Sequence, residues 1–511
     1  MWFKPLKPVN LRFIAPLNMK ITKDLYHSSL TLLTDYYQFT MAYAYWKAGK
    51  AEEEAIFNLF FRKNPFQSGF TIAAGLDYVI DYCRNMKFGE NDLAFLAEMK
   101  EANGEKVFES GFIDYLKNMT FSCDIDAVEE GEVVFPNMPM VRVKGPLIQC
   151  QLLETPLLNI INFQTLIATK AARIVLAANG DPVMEFGLRR AQGIDGALAA
   201  SRASYIGGCA STSNVMAAKL FGIPVSGTHA HSWIMSFDDE LSAFESYAET
   251  FPDNTTLLVD TYDIVQGVKH AIEVAEKLKE RGKELKGIRI DSGDLAYFSN
   301  LARKMLNEAG FPNVKIVASN DLDEHIITSL KMQEASIDVW GVGTKLVTAY
   351  DQPALGAVYK LSALKSKDGD WVPKIKLSQQ SIKINIPGYH NVLRYTSKGK
   401  AIADMIYLEG MEKSDTVTII DPIDPTRRKK ISVDNAEVEV LLKPIFSKGE
   451  KIYDRPSIQQ IRQRTQDRLA IFDKTHKRLI NPHIYPVGLE ANLYEYRTAL
   501  VLKAKAMDNG N

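Results

Sequence analysis

Six groups of polar residues stand at the ends of short apolar runs, and they carry the chemistry open to this sequence. Glu185, Arg189 and Arg190 close the first run, Gly227, Thr228, His229 and His231 the second, and Asp260 and Asp263 the third. Arg289, Asp291, Ser292, Gly293 and Asp294 close the fourth, Ser319, Asn320 and Asp321 the fifth, and Gly341, Gly343, Thr344 and Lys345 the sixth. Arg189, Arg190 and Arg289 would neutralise a polyphosphate. GVGTKLVT (341–348) suits phosphate, because two glycines let backbone N–H groups approach an anion; an ordinary glycine turn is the alternative. IGGCASTSN (206–214) has the same two readings, with Ser211, Thr212 and Ser213 adding hydroxyls. Asp291 and Asp294 could bind vicinal ribose hydroxyls or help hold Mg2+, and Asp294 and Asp321 also fit as helix caps. His229 and His231 stand two apart with no third ligand following nearby, which argues against a metal centre. One of them fits better as a nucleophile or base, oriented by Asp260, Asp263 or Glu185. Arginines on several sides of a phosphate loop imply a heavily anionic substrate.

Such residues are gathered where parallel strands end. PVMEFG, IPVSG, TLLVD, GIRID, VKIVAS and IDVWG alternate with longer amphipathic stretches from about 183 to 350, the pattern of repeated βα units. That many units favour a barrel over an open doubly wound sheet, and neither G-x-G-x-x-G nor a Walker A sequence occurs there. Upstream, 32–49 reads as a helix with an Asp near its start and Gly49 at its end. Residues 55–66 read as a buried strand ended by Pro65, 70–118 as mostly helical, 124–149 as antiparallel sheet with turns, and 151–180 as helix broken at Pro156. After 350, WVPKIKLS, SIKINIP, HNVLRYT and AIADMIYL read as strands that pack with 124–150 into one discontinuous domain. The expected division is 1–180 as the first part of that domain, 181–350 as the catalytic α/β barrel, and 351–511 as its return plus a C-terminal helical appendage on the surface.

Bulk properties exclude some functions. The 511 residues carry 61 Lys plus Arg against 62 Asp plus Glu, which gives no support to a nucleic-acid or anionic-membrane binder. The first residues lack the apolar run of a secretory signal, and no segment reads as a membrane span. Cys83, Cys123, Cys150 and Cys209 form no CxxC pair, which fits buried thiols in a reducing, cytoplasmic setting.

As a set, LLTDYYQ, FNLFFRKNPF, EFGLRRAQG, GGCASTSN, GTHAHSW, LLVDTYD, GIRIDSGDL, ASNDLDE and GVGTKLVT resemble the nicotinate phosphoribosyltransferase family in its long form, from 32 through GAVYKL (356–361) and more weakly beyond. The resemblance implies an irregular, incomplete parallel α/β barrel of the type II phosphoribosyltransferase kind beside a sheet-rich α/β domain. It implies a homodimer whose partner chain completes each active site. It implies transfer of the phosphoribosyl group of phosphoribosyl pyrophosphate to nicotinate in NAD salvage, coupled to hydrolysis of ATP as co-substrate through a phosphohistidine at His231, which would class the enzyme as a ligase. Phe186 matches the platform for the pyridine ring, with Tyr37 covering it and Arg62 reaching in from the partner. Arg189 and Arg289 match the groups that hold pyrophosphate or acid, Asp291 the carboxylate on the ribose hydroxyls, and Gly343 and Thr344 the 5′-phosphate loop. Ser213 falls among the substrate-binding residues, Asp35 is either a cap or a site residue, and Mg2+ travels mainly on substrate phosphates rather than on a protein metal site.

The nearest rival is the same architecture acting on nicotinamide. A neutral amide would welcome a buried acid near the ring; GGCASTSN offers none and EFGLRRAQG adds two cations. Quinolinate would need more basic residues. A barrel kept only for binding or regulation would have lost the histidine, arginines or glycines, and all are present.

Overall fold

The computed structural model describes residues 29–410 and 416–508. The leader reading made on the first residues lies outside them. Six parallel strands form the sheet that positions the site: β1 (Val183–Glu185), β2 (Ser211–Thr212), β3 (Thr256–Leu258), β4 (Gly287–Ile290), β5 (Lys315–Ala318) and β6 (Val339–Val342). Their order is β2-β1-β6-β5-β4-β3, so the last strand lies beside the first. The connections carry helices α1 (Gly193–Ile206), α2 (Val215–Phe221), α3 (Glu240–Thr250), α4 (Ile264–Glu280), α5 (Leu295–Glu308) and α6 (Glu324–Met332). Leu257, Ile288 and Ile316 sit side by side across β3, β4 and β5. They are wholly buried with Val268, Ala271 and Ala302 of α4 and α5 in a core of their own.

This is an α/β fold with one half-barrel-like sheet. β2 and β3 are its two edges, and no pairing between described strands closes it. The second expected strand, IPVSG, is not a strand. Pro224 has no N–H to give a ladder, and only Val225 makes a single bridge, to Thr212. Ser211–Thr212, from the preceding Gly-rich segment, takes the strand position against β1.

A seven-stranded sheet runs in the order Trp371–Pro373, Val358–Lys365, Glu54–Phe60, Val141–Pro146, Asp124–Val128, Leu442–Ser447, Glu450–Lys451, so four distant stretches share one sheet. SIKINIP contributes only a short 3-10 turn, Ser381–Lys383. A third sheet holds His390–Ser397, Lys400–Leu408 and, from the chain's last part, Val487–Glu490. The helix Ile458–Ile471 is docked, with Ile458, Ile461 and Thr465 buried, where a solvated appendage was expected. The run Leu147–Ala178 is long and apolar enough to cross a membrane, which the sequence reading overlooked; 72% of its 18-residue apolar window is buried inside the protein, as in a core helix. Its break falls at Leu153, and Pro156 lies in the first turn of Glu154–Ala178, where no N–H is needed.

Candidate active site

The C-terminal ends of β1, β4, β5 and β6 enclose a cavity of about 140 Å3 lined by Phe186, Arg189, Arg190, Arg289, Asp291, Ser319, Asn320, Asp321, Gly341, Gly343 and Thr344. Larger cavities, of about 670 and 830 Å3, lie around the 478–487 segment, and the second is lined by Arg62; the small one is the cavity at the ends of the parallel strands.

Arg289 is the hub. Its Nε donates to Ser319 Oγ at 2.8 Å, Nη1 to Thr228 Oγ1 at 3.1 Å and Nη2 to Asp291 Oδ1 at 2.9 Å. Ser319 Oγ also donates to Asp291 Oδ1. The guanidinium lies 5.6 Å from the centre of the Phe186 ring. That ring rests on Gly341: a Cβ there would come within 2.8 Å of it, so glycine is required. Asn320 and Asp321 both have positive φ, 92° and 43°, which marks a strained turn on the cavity wall. Arg189 and Arg190 form an exposed turn after β1.

Asp260 braces Asp291 rather than a histidine. Its Oδ2 accepts from Asp291 N–H at 2.9 Å and Ser292 Oγ–H at 2.6 Å, while its buried Oδ1 has no partner. Asp263 and Asp294 are caps, accepting from Gln266 N–H and Tyr297 N–H. Asp321 is not; Asp323 caps α6 instead. Glu185 is buried and fully used, accepting from Gly187 N–H, Ser201 Oγ at 2.8 Å and Thr212 Oγ1 at 2.6 Å. None of the three carboxylates offered as the histidine's partner plays that part.

His231 has Thr261 Oγ1 3.1 Å from Nδ1 and Asp291 Oδ2 3.9 Å from Nε2, and its side chain is 41% exposed. His229 is a core residue. Its Nε2 accepts from Leu258 N–H at 3.2 Å, its ring packs edge-on against Tyr247, and burial pushes its imidazole down to about 4. Among the described residues no group of three His, Cys, Asp or Glu could hold a metal ion. Lys345 turns away to Asp323 at 2.7 Å.

The fold thus brings together Phe186, Arg189, Arg289, Asp291, Gly343 and Thr344, with His231 against Asp291. Ser213, just past β2, does not line the cavity but is tied to the end of β1, its N–H donating to Glu185 O at 2.9 Å. Tyr37 and Arg62 are not brought in: Tyr37 is 46% exposed with its hydroxyl on Glu154, and Arg62 Nε donates to Ile382 O. Asp35 stands at the N-cap position of Tyr36–Lys47, yet its carboxylate takes the Thr155 hydroxyl instead of a backbone N–H. Ser319, Thr228 and Asp260 were among the polar groups read from the sequence, but their roles were not: Ser319 and Thr228 hold Arg289, and Asp260 holds the Asp291 backbone.

The match to known proteins covers this whole arrangement. Residues 32–162 match the nicotinate phosphoribosyltransferase N-terminal domain, 182–385 the nicotinate phosphoribosyltransferase family, and 389–497 its C-terminal domain. The chain belongs to the nicotinate phosphoribosyltransferase family. It is 45% identical to the Bacillus subtilis nicotinate phosphoribosyltransferase over 94% of this chain and 96% of that one. It is 39% identical to the Caenorhabditis elegans relative of that name over 92% and 93%. The crystal structure of human nicotinic acid phosphoribosyltransferase superposes with a TM-score of 0.79 at 32% identity, over 91% of this chain and 99% of that one.

Family membership corrects the expected chemistry. These relatives are named for a phosphoribosyl transfer. ATP as co-substrate, coupling to ATP hydrolysis, the phosphohistidine at His231 and the ligase class are withdrawn in favour of a simple transfer.

Proposed function

We propose that this enzyme moves the 5-phosphoribosyl group of phosphoribosyl pyrophosphate onto the ring nitrogen of nicotinate, giving nicotinate mononucleotide and pyrophosphate in NAD salvage. The observation that carries it is Arg289, held by two hydroxyls and one carboxylate beside the Phe186 ring, with Arg189 and Arg190 exposed at the same mouth. As the bond from C1′ to pyrophosphate breaks, positive charge grows on the ribose and negative charge on the leaving group. Fixed arginines stabilise the latter without reorganising. The pyridine ring stacks on Phe186, so its nitrogen meets C1′ already oriented. That nitrogen has no proton to lose, so no base is needed. Asp291, steadied by Asp260 and His231, grips the ribose hydroxyls, Gly343 and Thr344 hold the 5′-phosphate, and Ser213 borders the ring. The cations Arg189 and Arg190 favour a carboxylate over an amide.

The enzyme works as a homodimer in which Tyr37 and Arg62 enter the partner's site. Two apolar surfaces support this. Val215, Met235, Tyr262, Tyr297 and Tyr350, in segments that follow strand ends, are each 61–68% exposed, and Leu30, Leu33, Tyr36 and Tyr37 form a second exposed group. The barrel is of the incomplete type II kind, and four free, buried cysteines suit the cytoplasm.

The test is product formation from phosphoribosyl pyrophosphate with nicotinate, nicotinamide or quinolinate, in Mg2+ buffer without ATP. Nicotinate alone is expected to give product, at a rate that added ATP leaves unchanged. Equal use of nicotinamide, or no product, overturns the assignment; a rate that climbs with ATP reverses the correction to a simple transfer.

A further inference from the structure

The helix Ile458–Ile471 belongs to the part of the chain to which the transfer chemistry assigns nothing. One of its side chains nevertheless reaches the Gly-Gly turn that leads into β2, the strand beside β1. Arg462 Nε donates to Cys209 O at 3.0 Å and Nη2 to Gly208 O at 2.9 Å, and its guanidinium lies 5.3 Å from the centre of the Tyr205 ring. These carbonyls lie just past the end of α1, where a helix presents unpaired acceptors and partial negative charge that a cation satisfies.

The turn they belong to is demanding. Gly208 has φ of +114°, which L side chains rarely adopt, and a Cβ on Gly207 would fall 2.3 Å from Ala168 O. The turn leads into β2, an edge strand of two residues. Its register against β1 is set by Ala210 N–H on Val183 O, Ser213 N–H on Glu185 O and Thr212 Oγ1 on Glu185. β1 runs directly into Phe186. So short an edge holds its register poorly unless something outside fixes it. Gln459, one turn earlier, adds a bond to Gly222 O at 2.9 Å at the far end of α2.

We infer that Arg462 is a positioning residue for the nicotinate pocket: by clamping Gly208 and Cys209 it fixes β2 and Ser213 against β1, and so the stacking site at Phe186. This rests on the proposed transferase activity. Arg464 of the same helix supplies the control, because it ties the helix to Glu129 and to Glu130 O and does not touch the Gly-Gly turn.

The experiment compares wild type, Arg462→Ala, Arg462→Lys and Arg464→Ala. KM for nicotinate is measured at saturating phosphoribosyl pyrophosphate, KM for phosphoribosyl pyrophosphate at saturating nicotinate, and nicotinate binding by calorimetry. Arg462→Ala is expected to raise KM and Kd for nicotinate about tenfold, the worth of a charge-assisted pair of hydrogen bonds. KM for phosphoribosyl pyrophosphate should stay within about twofold, and Arg462→Lys, able to reach one carbonyl, should recover part of the loss. Arg464→Ala should show no such split. Equal changes in both KM values, the same split in Arg464→Ala, or unchanged nicotinate affinity in Arg462→Ala overturns the inference. If Arg462→Ala does not fold, Arg462→Lys reads the same split, and no split there overturns it. Wild type inactive with nicotinate would instead sink the transferase reading, and calorimetry still reports on the clamp.

Discussion

Arg394, in the sheet-rich region, and Arg289, at the rim of the parallel sheet, both face carboxylates, to opposite ends. Arg394 is fully buried and fully spent. Nε and Nη2 form a fork on Asp404 at 2.9 and 2.7 Å, Nη1 takes Glu132, and Nη2 also bonds Val133 O. Arg289 gives two of its three described bonds to neutral hydroxyls and sits at an open cavity beside exposed Arg189 and Arg190. One arginine is neutralised to join elements; the other keeps positive charge available to an incoming anion.

The strongest way to break this contrast is to remove both arginines. Arg289→Ala should cost about 10^3-fold in kcat/KM, as loss of a transition-state charge donor does, with a urea unfolding midpoint near wild type. Arg394→Ala should cost about 3–5 kcal/mol of stability, because Asp404 is left buried without its cation and Glu132 keeps only Arg468, while the folded fraction keeps its specific activity. A stable but inactive Arg394→Ala would erase the distinction.

Acid should act on both regions alike. His229 in the core beneath the parallel-sheet rim and His390 in the sheet-rich region are each pushed down to about 4 by burial, with a nearby arginine adding to it (Arg289 for His229, Arg142 for His390). Both are neutral in the fold and take up protons more readily when unfolded, near the ordinary value of about 6.5. Their contribution to stability is therefore whole above about pH 6.5 and is lost as pH falls toward 4, by about 1.4 kcal/mol per pH unit for each. Unfolding free energy measured from pH 7 to 5 should fall accordingly, and His229→Gln and His390→Gln should each remove about half the slope. A slope untouched by either substitution contradicts the assignment.

Smaller effects sharpen the boundary of the site. Phe186→Ala should raise KM for nicotinate about tenfold through lost stacking, with little change for phosphoribosyl pyrophosphate; an equal rise for both would move the ring away from the pyridine. Asp294→Ala, at a strand end but only capping α5, should cost about 1 kcal/mol of stability and leave kcat as it was. A large loss of kcat would return Asp294 to the site.

Much of the rim was legible in the sequence because its signals are local. Apolar runs of a few residues ending in Gly, Asp or Arg define strand ends wherever they lie in the chain. Five of the six expected strands formed; the sixth failed at Pro224, and the strand that replaced it, Ser211–Thr212, is too short to leave a pattern. Asp294 as a cap was readable from its place before an amphipathic helix. That Asp260 serves Asp291, and that Glu185 serves Ser201 and Thr212, was not legible, because which acceptor a buried donor finds depends on packing and not on spacing.

The sequence by itself determined which residue types stand at each strand end, and hence arginines and glycines gathered at one edge of the parallel sheet, since strand period and turn residues are read within a few positions. Only the tertiary structure decided which of them act together. It turned Lys345 from the cavity to Asp323, put His229 in the core and His231 against Asp291, and set Arg462 on carbonyls 253 and 254 residues away in the chain. A buried polar group must find its partner wherever the fold brings one, and chain distance does not enter that requirement.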